Sequence, residues 1–300
     1  MKHLWLFLKG IAMGAADVVP GVSGGTIAFI TGIYTELLDS IKSINLEAVR
    51  TLFKEGPAAA WHSINGTFLL VLGSGILLAL LSLAKVLHHL LLTQPELLWS
   101  FFFGLILASS WHIGKEIQGW NIAKVATLLL GIMIAAGISL ASPSSVTPTA
   151  LIIFGAGSIA ICAMILPGIS GSFILLLMGL YEPVLGAVKA LDLGIMSVFA
   201  AGAGVGLLVF SRFLSWCLHH YKDLMFALLT GFMLGSLVKV WPWKETISTR
   251  MNSKGQQVPF IQDNILPLGQ QSDMLIGAVF LMITGAVMVL LMEKVASRGK

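Results

Sequence analysis

Two short segments of the chain place hydroxyl groups and glycines directly after a proline inside apolar sequence. Residues 20–24 are PGVSG and residues 167–171 are PGISG. Proline lacks a backbone N–H and clashes with the preceding helical turn, so each segment interrupts a helix. A helix that restarts at the serine has free N–H groups and the positive end of its dipole at the interruption. Together with hydroxyl donors, these groups favour an anion, and phosphate is the natural ligand.

We predict that the two interruptions face each other and form one phosphate site. The candidate ligands are Ser23, Gly24, Gly25 and Thr26 in the first copy and Ser170, Gly171 and Ser172 in the second, and the helix breaks are Pro20, Gly21, Pro167 and Gly168. A single motif of this kind would favour a packing kink, because Gly and Pro are common in membrane helices. Two copies in a duplicated chain favour the ligand site instead.

Two basic residues in apolar segments are candidates to bind the same anion. Lys85 and Arg212 each follow a serine, Ser82 or Ser211, in segments that resemble each other. A cation at the centre of a membrane helix costs at least about 2.5–3.5 kcal/mol, so it indicates a function. Arg212 can hold phosphate through two hydrogen bonds, and Lys85 can hold it through its charge. The alternative is that both side chains extend to the nearby ends of their helices.

Two acidic residues are candidates for coupling to a proton or a cation. Asp17 precedes the first interruption by three residues, and Met164 holds the matching place in the second copy. The alternative for Asp17 is to cap local N–H groups. Glu182 follows Tyr181, near the predicted membrane surface. We expect histidines at predicted helix ends, such as His219, to be solvated at the interface rather than to sense pH.

The composition predicts an all-α polytopic membrane protein. Of the 300 residues, 57% are hydrophobic and only 11% are charged, whereas a soluble domain carries about 25% charged residues. The net charge of +4 is spread over short loops, so it does not indicate a nucleic-acid partner. The sequence has no Walker A motif, no HExxH motif and no Cys/His cluster with zinc spacing. We therefore expect no enzyme, no cofactor and no metal.

The apolar segments predict six membrane spans and two broken units. The broken units cover residues 4–42 and 149–191, and the spans cover residues 66–91, 97–113, 122–141, 195–219, 224–240 and 274–292. Each half of a broken unit is shorter than the ~20 residues that cross a bilayer. A helix on the membrane surface is expected at residues 45–57, and a polar loop at residues 242–273.

The chain is predicted to contain two repeats of opposite orientation. We assign residues 1–120 to repeat 1, residues 121–146 to a connecting span, residues 147–242 to repeat 2 and residues 243–300 to an outer loop and a C-terminal span. Because three spans separate the broken units, the units enter the membrane from opposite faces, with a binding site near the midplane. The excess of Lys and Arg in the segments that then lie inside favours cytoplasmic N- and C-termini.

With these motifs in place, the chain resembles the PopT-type polyprenyl-phosphate transporters, long catalogued as a domain of unknown function. The resemblance rests on Gly14 to Tyr34, on Pro167 to Leu185 and on the span with Phe210 to Arg212, and it covers about residues 4–292. It implies that undecaprenyl phosphate, a lipid carrier of the bacterial cell wall, is recycled from the outer to the inner leaflet of the cytoplasmic membrane. The lipid and the bilayer are then the partners, and a homo-oligomer is left open. The residues alone also allow a carrier for a small water-soluble anion and, less well, an intramembrane lipid phosphatase.

Overall fold

The computed structural model describes residues 2–19, 22–144, 146–251, 257–267 and 274–297, and most of these are helical. The first half contains α1 Lys2–Val18, α2 Gly24–Ile30, α3 Tyr34–Lys42, α4 Leu46–Glu55, α5 Pro57–Ser63, α6 Gly66–Thr93, α7 Pro95–Glu116 and α8 Ile122–Leu140. The second half contains α9 Ala150–Ile165, α10 Gly171–Leu177, α11 Tyr181–Ala190, α12 Leu193–His220, α13 Lys222–Val240, β1 Lys244–Met251, β2 Gln257–Asn264 and α14 Leu275–Ser297. The expected all-α fold class is confirmed.

Five helices in the described residues are long and apolar enough to cross a membrane, namely α6, α7, α8, α12 and α13. The sixth predicted span corresponds to α14, whose apolar part covers Leu275–Leu291. That part has 17 residues, the lower end of the range for a transmembrane helix. The structure therefore contains several helices suited to a multi-pass membrane protein.

Each broken unit folds into three helices, because it contains a second interruption that we did not predict. Gly32 and Gly179 adopt φ values of +70° and +69°, a left-handed conformation that glycine adopts without steric cost. The next residue then bonds back across the turn, from Ile33 N to Ala28 O at 3.0 Å and from Leu180 N to Leu175 O at 2.9 Å. These turns end α2 and α10 after seven residues each. The two broken units thus have the same local fold.

The short helix of each unit runs back along the helix that precedes it. In the first unit, Lys9 Nζ of α1 donates to the carbonyl of Thr31, at the end of α2, at 2.8 Å. In the second unit, Leu175 of α10 packs with Ala156 and Ala160 of α9 in one apolar cluster. The chain therefore reverses direction at each interruption, as in a re-entrant hairpin.

Long helices pack in pairs through glycines that let their backbones approach. The pairs are α1 with α6, α9 with α12, α7 with α14 and α8 with α13. In the last pair, a Cβ on Gly131 would clash with the carbonyl of Leu228, and a Cβ on Gly231 would clash with the carbonyl of Leu128. Close backbone contact at small residues is the usual way in which membrane helices associate.

The valine variant Gly131→Val is expected to separate α8 from α13 and to destabilise the protein. Overpacking of a close contact typically costs about 1–3 kcal/mol. Gly137→Val on the same helix is the matched control, because a Cβ there meets no atom within 4 Å. Thermal unfolding in detergent measures both variants. A lower melting temperature for Gly131→Val alone is the expected result, and equal melting temperatures would contradict this packing.

Two further segments lie outside the helical bundle. The predicted polar loop at residues 242–273 contains an antiparallel hairpin of β1 and β2, in which Lys244 pairs with Asn264. The expected surface helix is present as α4, and its apolar side chains Leu46 and Phe53 are exposed. Asn45 caps α4 by accepting hydrogen bonds from two backbone N–H groups.

Candidate functional site

At the first interruption, the protein's own side chains satisfy the start of α2. Gly24 N donates to Asp17 Oδ1 at 2.7 Å, and Gly25 N donates to Ser23 Oγ at 3.0 Å. Asp17 therefore acts as a cap, which is one of its two predicted roles. Its carboxylate lies where an anion would be favoured. The predicted breaks Pro20 and Gly21 lie outside the described residues.

The second interruption differs, because no side chain caps the start of α10. Ser170 and Ser172 join their hydroxyl oxygens at 3.0 Å, and Ser172 is exposed. The place that corresponds to Asp17 is held by Met164, which has no carboxylate. Gly168 has a φ of +82°, which turns the chain just before the serines. Donors that are already satisfied in the first copy therefore remain available in the second.

The structure brings the two interruptions into direct contact. Gly168 N donates to Thr26 Oγ1 at 3.0 Å, and Ser23 Oγ donates to the carbonyl of Met164 at 2.8 Å. Gly25 packs so closely on the carbonyl of Ile165 that a Cβ would clash. Ser23 is 1% exposed and Thr26 is fully buried. Both hydroxyls thus hold the interruptions together, whereas those of Ser170 and Ser172 do not.

Thr26→Val is expected to lower the stability of the contact between the interruptions. Valine has a similar shape but cannot accept the hydrogen bond from Gly168 N, and an unsatisfied buried N–H costs about 1–3 kcal/mol. Thr26→Ser keeps the acceptor and is the matched control. The melting temperature in detergent should fall for Thr26→Val and recover largely for Thr26→Ser. A stable Thr26→Val variant would show that this hydrogen bond carries little of the contact.

The structure places Arg212 and Lys85 away from both interruptions. Arg212 donates to the carbonyls of Leu208 at 3.2 Å and Ile44 at 3.3 Å, so it joins α12 to the end of α3. Lys85 is exposed on α6 and makes no hydrogen bond or ion pair within the described part of the chain. The two cations are nevertheless equivalent, because each is the twentieth residue of a 28-residue helix.

A polar cluster that sequence reasoning missed joins α3 to α12 near Arg212. Ser215 is fully buried, donates to Asp39 Oδ1 at 2.6 Å and accepts from Lys42 Nζ at 3.2 Å. His219 Nε2 lies 3.6 Å from Asp39 Oδ2, and its Nδ1 lies 2.8 Å from the carbonyl of Ser215. His219 is thus bound within the protein at a site where we had expected solvation. The available signal was spacing, since Ser215 and His219 share one helix face.

This cluster borders a cavity of about 570 Å³. Its walls are Asp39, Lys42, Ser43, Asn45, Trp216, His219 and His220. Trp216 stacks on His220 with ring centroids 4.9 Å apart and is about half exposed. The cavity therefore lies at the surface, at the ends of α3 and α12.

The remaining candidates do not add a metal or a catalytic group. Within the part of the chain that the structure describes, no group of three or more His, Cys, Asp and Glu side chains could hold a metal ion. Glu182 lies in the first turn of α11 and is half-buried.

Comparison with known proteins identifies the family. The family model described as undecaprenyl phosphate translocase-like matches residues 13–258. A polyprenyl-phosphate transporter of Vibrio cholerae is 50% identical over 303 residues, covering 99% of this chain and 98% of the relative. A polyprenyl-phosphate transporter of Staphylococcus aureus is 37% identical over 258 residues, covering 79% of this chain and 86% of the relative. No solved structure matches the chain.

Both relatives are named as transporters and not as enzymes, in agreement with the expectation from sequence. The match spans both interruptions and the helices that position them. The chain belongs to the undecaprenyl phosphate translocase-like family.

Proposed function

We propose that the protein moves undecaprenyl phosphate across the bacterial cytoplasmic membrane, so that the carrier lipid is recycled for cell-envelope synthesis. The observation that carries the proposal is the direct contact of two hydroxyl-bearing helix interruptions, one of which keeps unsatisfied donors. The names of the relatives support a polyprenyl phosphate as the substrate. No ATP-binding motif is present in the sequence, so an ion gradient or mass action is the proposed energy source.

The phosphate binds at the second interruption in this proposal. The hydroxyls of Ser170 and Ser172 and the N–H groups of Gly171 and Ser172 donate to it. Ser23, Gly24, Gly25 and Thr26 support the site from the opposite side, since their groups hold the two interruptions together. Asp17 satisfies the first helix start, which leaves one anion position between the two copies. The isoprenoid tail stays in the lipid.

The two repeats are proposed to be inverted and to exchange conformations. The broken unit of the first half touches the second half, because α3 packs on α12. The equivalent pair is α11 with α6, and these helices make no comparable contact among the described residues. In transporters built from inverted repeats, the second state arises when the repeats exchange such contacts. The described conformation is thus closed at the α3–α12 side and open at the α6–α11 side.

The proposed orientation assigns these sides to the two faces of the membrane. With both termini in the cytoplasm, the α3–α12 side is cytoplasmic and the open side faces outward. Arg212 closes the inner face through the carbonyl of Ile44. In the other state, its equivalent Lys85 would reach the carbonyl of Leu191, which corresponds to Ile44. Lys85 and Arg212 then act in turn, one at each face.

Reconstituted vesicles test the function directly. Undecaprenyl phosphate is placed in both leaflets, and a soluble phosphatase is added outside. Protein-free vesicles should lose only the outer share of the phosphate. Vesicles with this protein should lose all of it, because the inner share is moved outward and hydrolysed. If the inner share stays protected in vesicles that contain folded protein, the proposed function is wrong.

A further inference from the structure

Two lysines without an acidic partner lie at the end of α13 that is far from the α3–α12 cluster. Lys244 Nζ donates to the carbonyl of Lys239 at 2.6 Å and lies 4.1 Å from the ring centroid of Trp99. Lys239 Nζ lies 4.3 Å from the ring centroid of Phe173. Within the described residues, neither ammonium group forms an ion pair with a carboxylate. Two neighbouring cations are thus held by aromatic faces and one carbonyl.

This arrangement is costly unless an anion compensates it. Burial and the neighbouring Lys239 ammonium lower the pKa of the Lys244 side chain from its usual value of 10.5 to about 7. A cation over an aromatic ring gains only about 0.5–2 kcal/mol, which offsets part of the desolvation. Lys239 Nζ donates no hydrogen bond to any described residue. A negative group beside both lysines would remove their mutual repulsion.

A third donor at the same place is also unsatisfied. Trp243 is 4% exposed, and its indole N–H has no hydrogen-bond acceptor in the described part of the chain. It directly precedes Lys244, and its ring lies 5.6 Å from that of Trp241. Buried donors normally have a partner, so an orphaned one needs an explanation. One ligand with several acceptor oxygens would satisfy the indole and both ammonium groups.

These three residues lie beside the second interruption. Phe173, which carries the Lys239 ammonium on its ring, directly follows Ser172 in α10. On the other side, Gly168 packs against the carbonyl of Phe232, two helical turns before Lys239 on α13. The same two helices therefore position the lysines and the serines. Phosphate that is held by the lysines can reach Ser170 and Ser172 without crossing the protein.

We propose that Lys239, Lys244 and Trp243 form a docking subsite for a phosphomonoester dianion on the open face, ahead of the site at the second interruption. This inference rests on the proposed function, in which the dianion is the headgroup of a polyprenyl phosphate. Two ammonium groups match the charge of the dianion, and the indole supplies a further directed hydrogen bond. The surrounding rings of Trp99, Phe173 and Trp241 suit the first isoprene units. Free phosphate shares the headgroup chemistry but lacks that apolar contact.

Equilibrium binding of radiolabelled undecaprenyl phosphate to the whole protein in nanodiscs tests the subsite. The double variant Lys239→Gln with Lys244→Gln should weaken binding by about 10- to 100-fold, as expected for the loss of charge-assisted hydrogen bonds. Lys115→Gln is the matched control, because its ammonium also lies over an indole ring, that of Trp111 at 5.2 Å, at the opposite end of α7. Binding of undecaprenol, which lacks the phosphate, should be equal in all variants.

Other arms separate the alternatives. Restoring charge with Lys239→Arg and Lys244→Arg should recover binding, and the single glutamine variants serve if the double variant does not fold. Trp243→Phe should remove the fluorescence change that undecaprenyl phosphate causes in the wild-type protein. Unchanged binding by a folded double variant that still translocates lipid overturns the subsite and leaves the function standing. Equal affinity for inorganic phosphate overturns the lipid headgroup as occupant. Failure of the wild-type protein to bind or translocate undecaprenyl phosphate overturns both.

Discussion

Crosslinking Asp39→Cys to Ser215→Cys is expected to stop translocation of undecaprenyl phosphate completely. The two native side chains are hydrogen-bonded at 2.6 Å across the α3–α12 contact, so a short bifunctional thiol reagent can join cysteines there. The link would fix the face that must open for the phosphate to leave. The native cysteines Cys162 and Cys217 are first replaced by alanine. The phosphatase assay in vesicles then measures whether the protected leaflet still exchanges.

The reduced double-cysteine protein is the control, and it should translocate lipid. The equivalent pair on the other face, His88→Cys with Gly186→Cys, should become linkable only when the repeats exchange conformations. Its crosslinking should rise when undecaprenyl phosphate is added. Full translocation by the crosslinked Asp39–Ser215 protein would show that this contact does not open during transport. The same result would exclude alternating exposure of the two faces.

Replacing Ser170 and Ser172 by alanine is expected to weaken binding of undecaprenyl phosphate by about 10- to 100-fold. A hydrogen bond from a hydroxyl to a charged group contributes about 1.5–3 kcal/mol, and 1.4 kcal/mol corresponds to tenfold. These hydroxyls bond to each other and to no other described group, so their loss should leave the fold intact. The measurement is lipid binding in nanodiscs, with the melting temperature recorded in parallel.

Ser139→Ala is the matched control for that variant. Its hydroxyl donates to the carbonyl of Ala135 within α8, so it should change neither binding nor stability. The double serine variant should bind undecaprenol like the wild-type protein, because that lipid carries no phosphate. Unaltered affinity for undecaprenyl phosphate in a folded Ser170/Ser172 variant would remove the second interruption from the binding site.

The sequence predicted the architecture well because membrane helices are encoded locally. Length and hydropathy place α6, α7, α8, α12, α13 and α14 without any tertiary information. The first break of each unit was recognised from proline and glycine. The second break was missed, although Gly32 and Gly179 were already known to match between the copies. A glycine in an apolar run does not show by itself whether it packs in a helix or turns left-handed.

The site was predicted less completely, because its contacts join distant parts of the chain. The bond between Thr26 and Gly168 spans 142 positions, and the bond between Arg212 and Ile44 spans 168. Similarity between segments had paired Ser82 with Ser211, whereas the helix bounds pair Lys85 with Arg212 instead. That shift of two residues is invisible until the helix starts are known. Likewise, Lys239 and Lys244 gain significance only when Trp99 and Phe173 are placed around them.

A solid-state NMR distance tests the central claim most directly. Undecaprenyl phosphate is bound to protein labelled with ¹⁵N at glycine, and the phosphorus-to-nitrogen dipolar coupling is measured for Gly171, identified by comparison with a Gly171→Ala sample. A hydrogen bond from Gly171 N to a phosphate oxygen would place phosphorus within about 4–5 Å of that nitrogen. We predict a coupling that corresponds to this distance and disappears with undecaprenol. Bound undecaprenyl phosphate without measurable coupling to Gly171 would contradict the account.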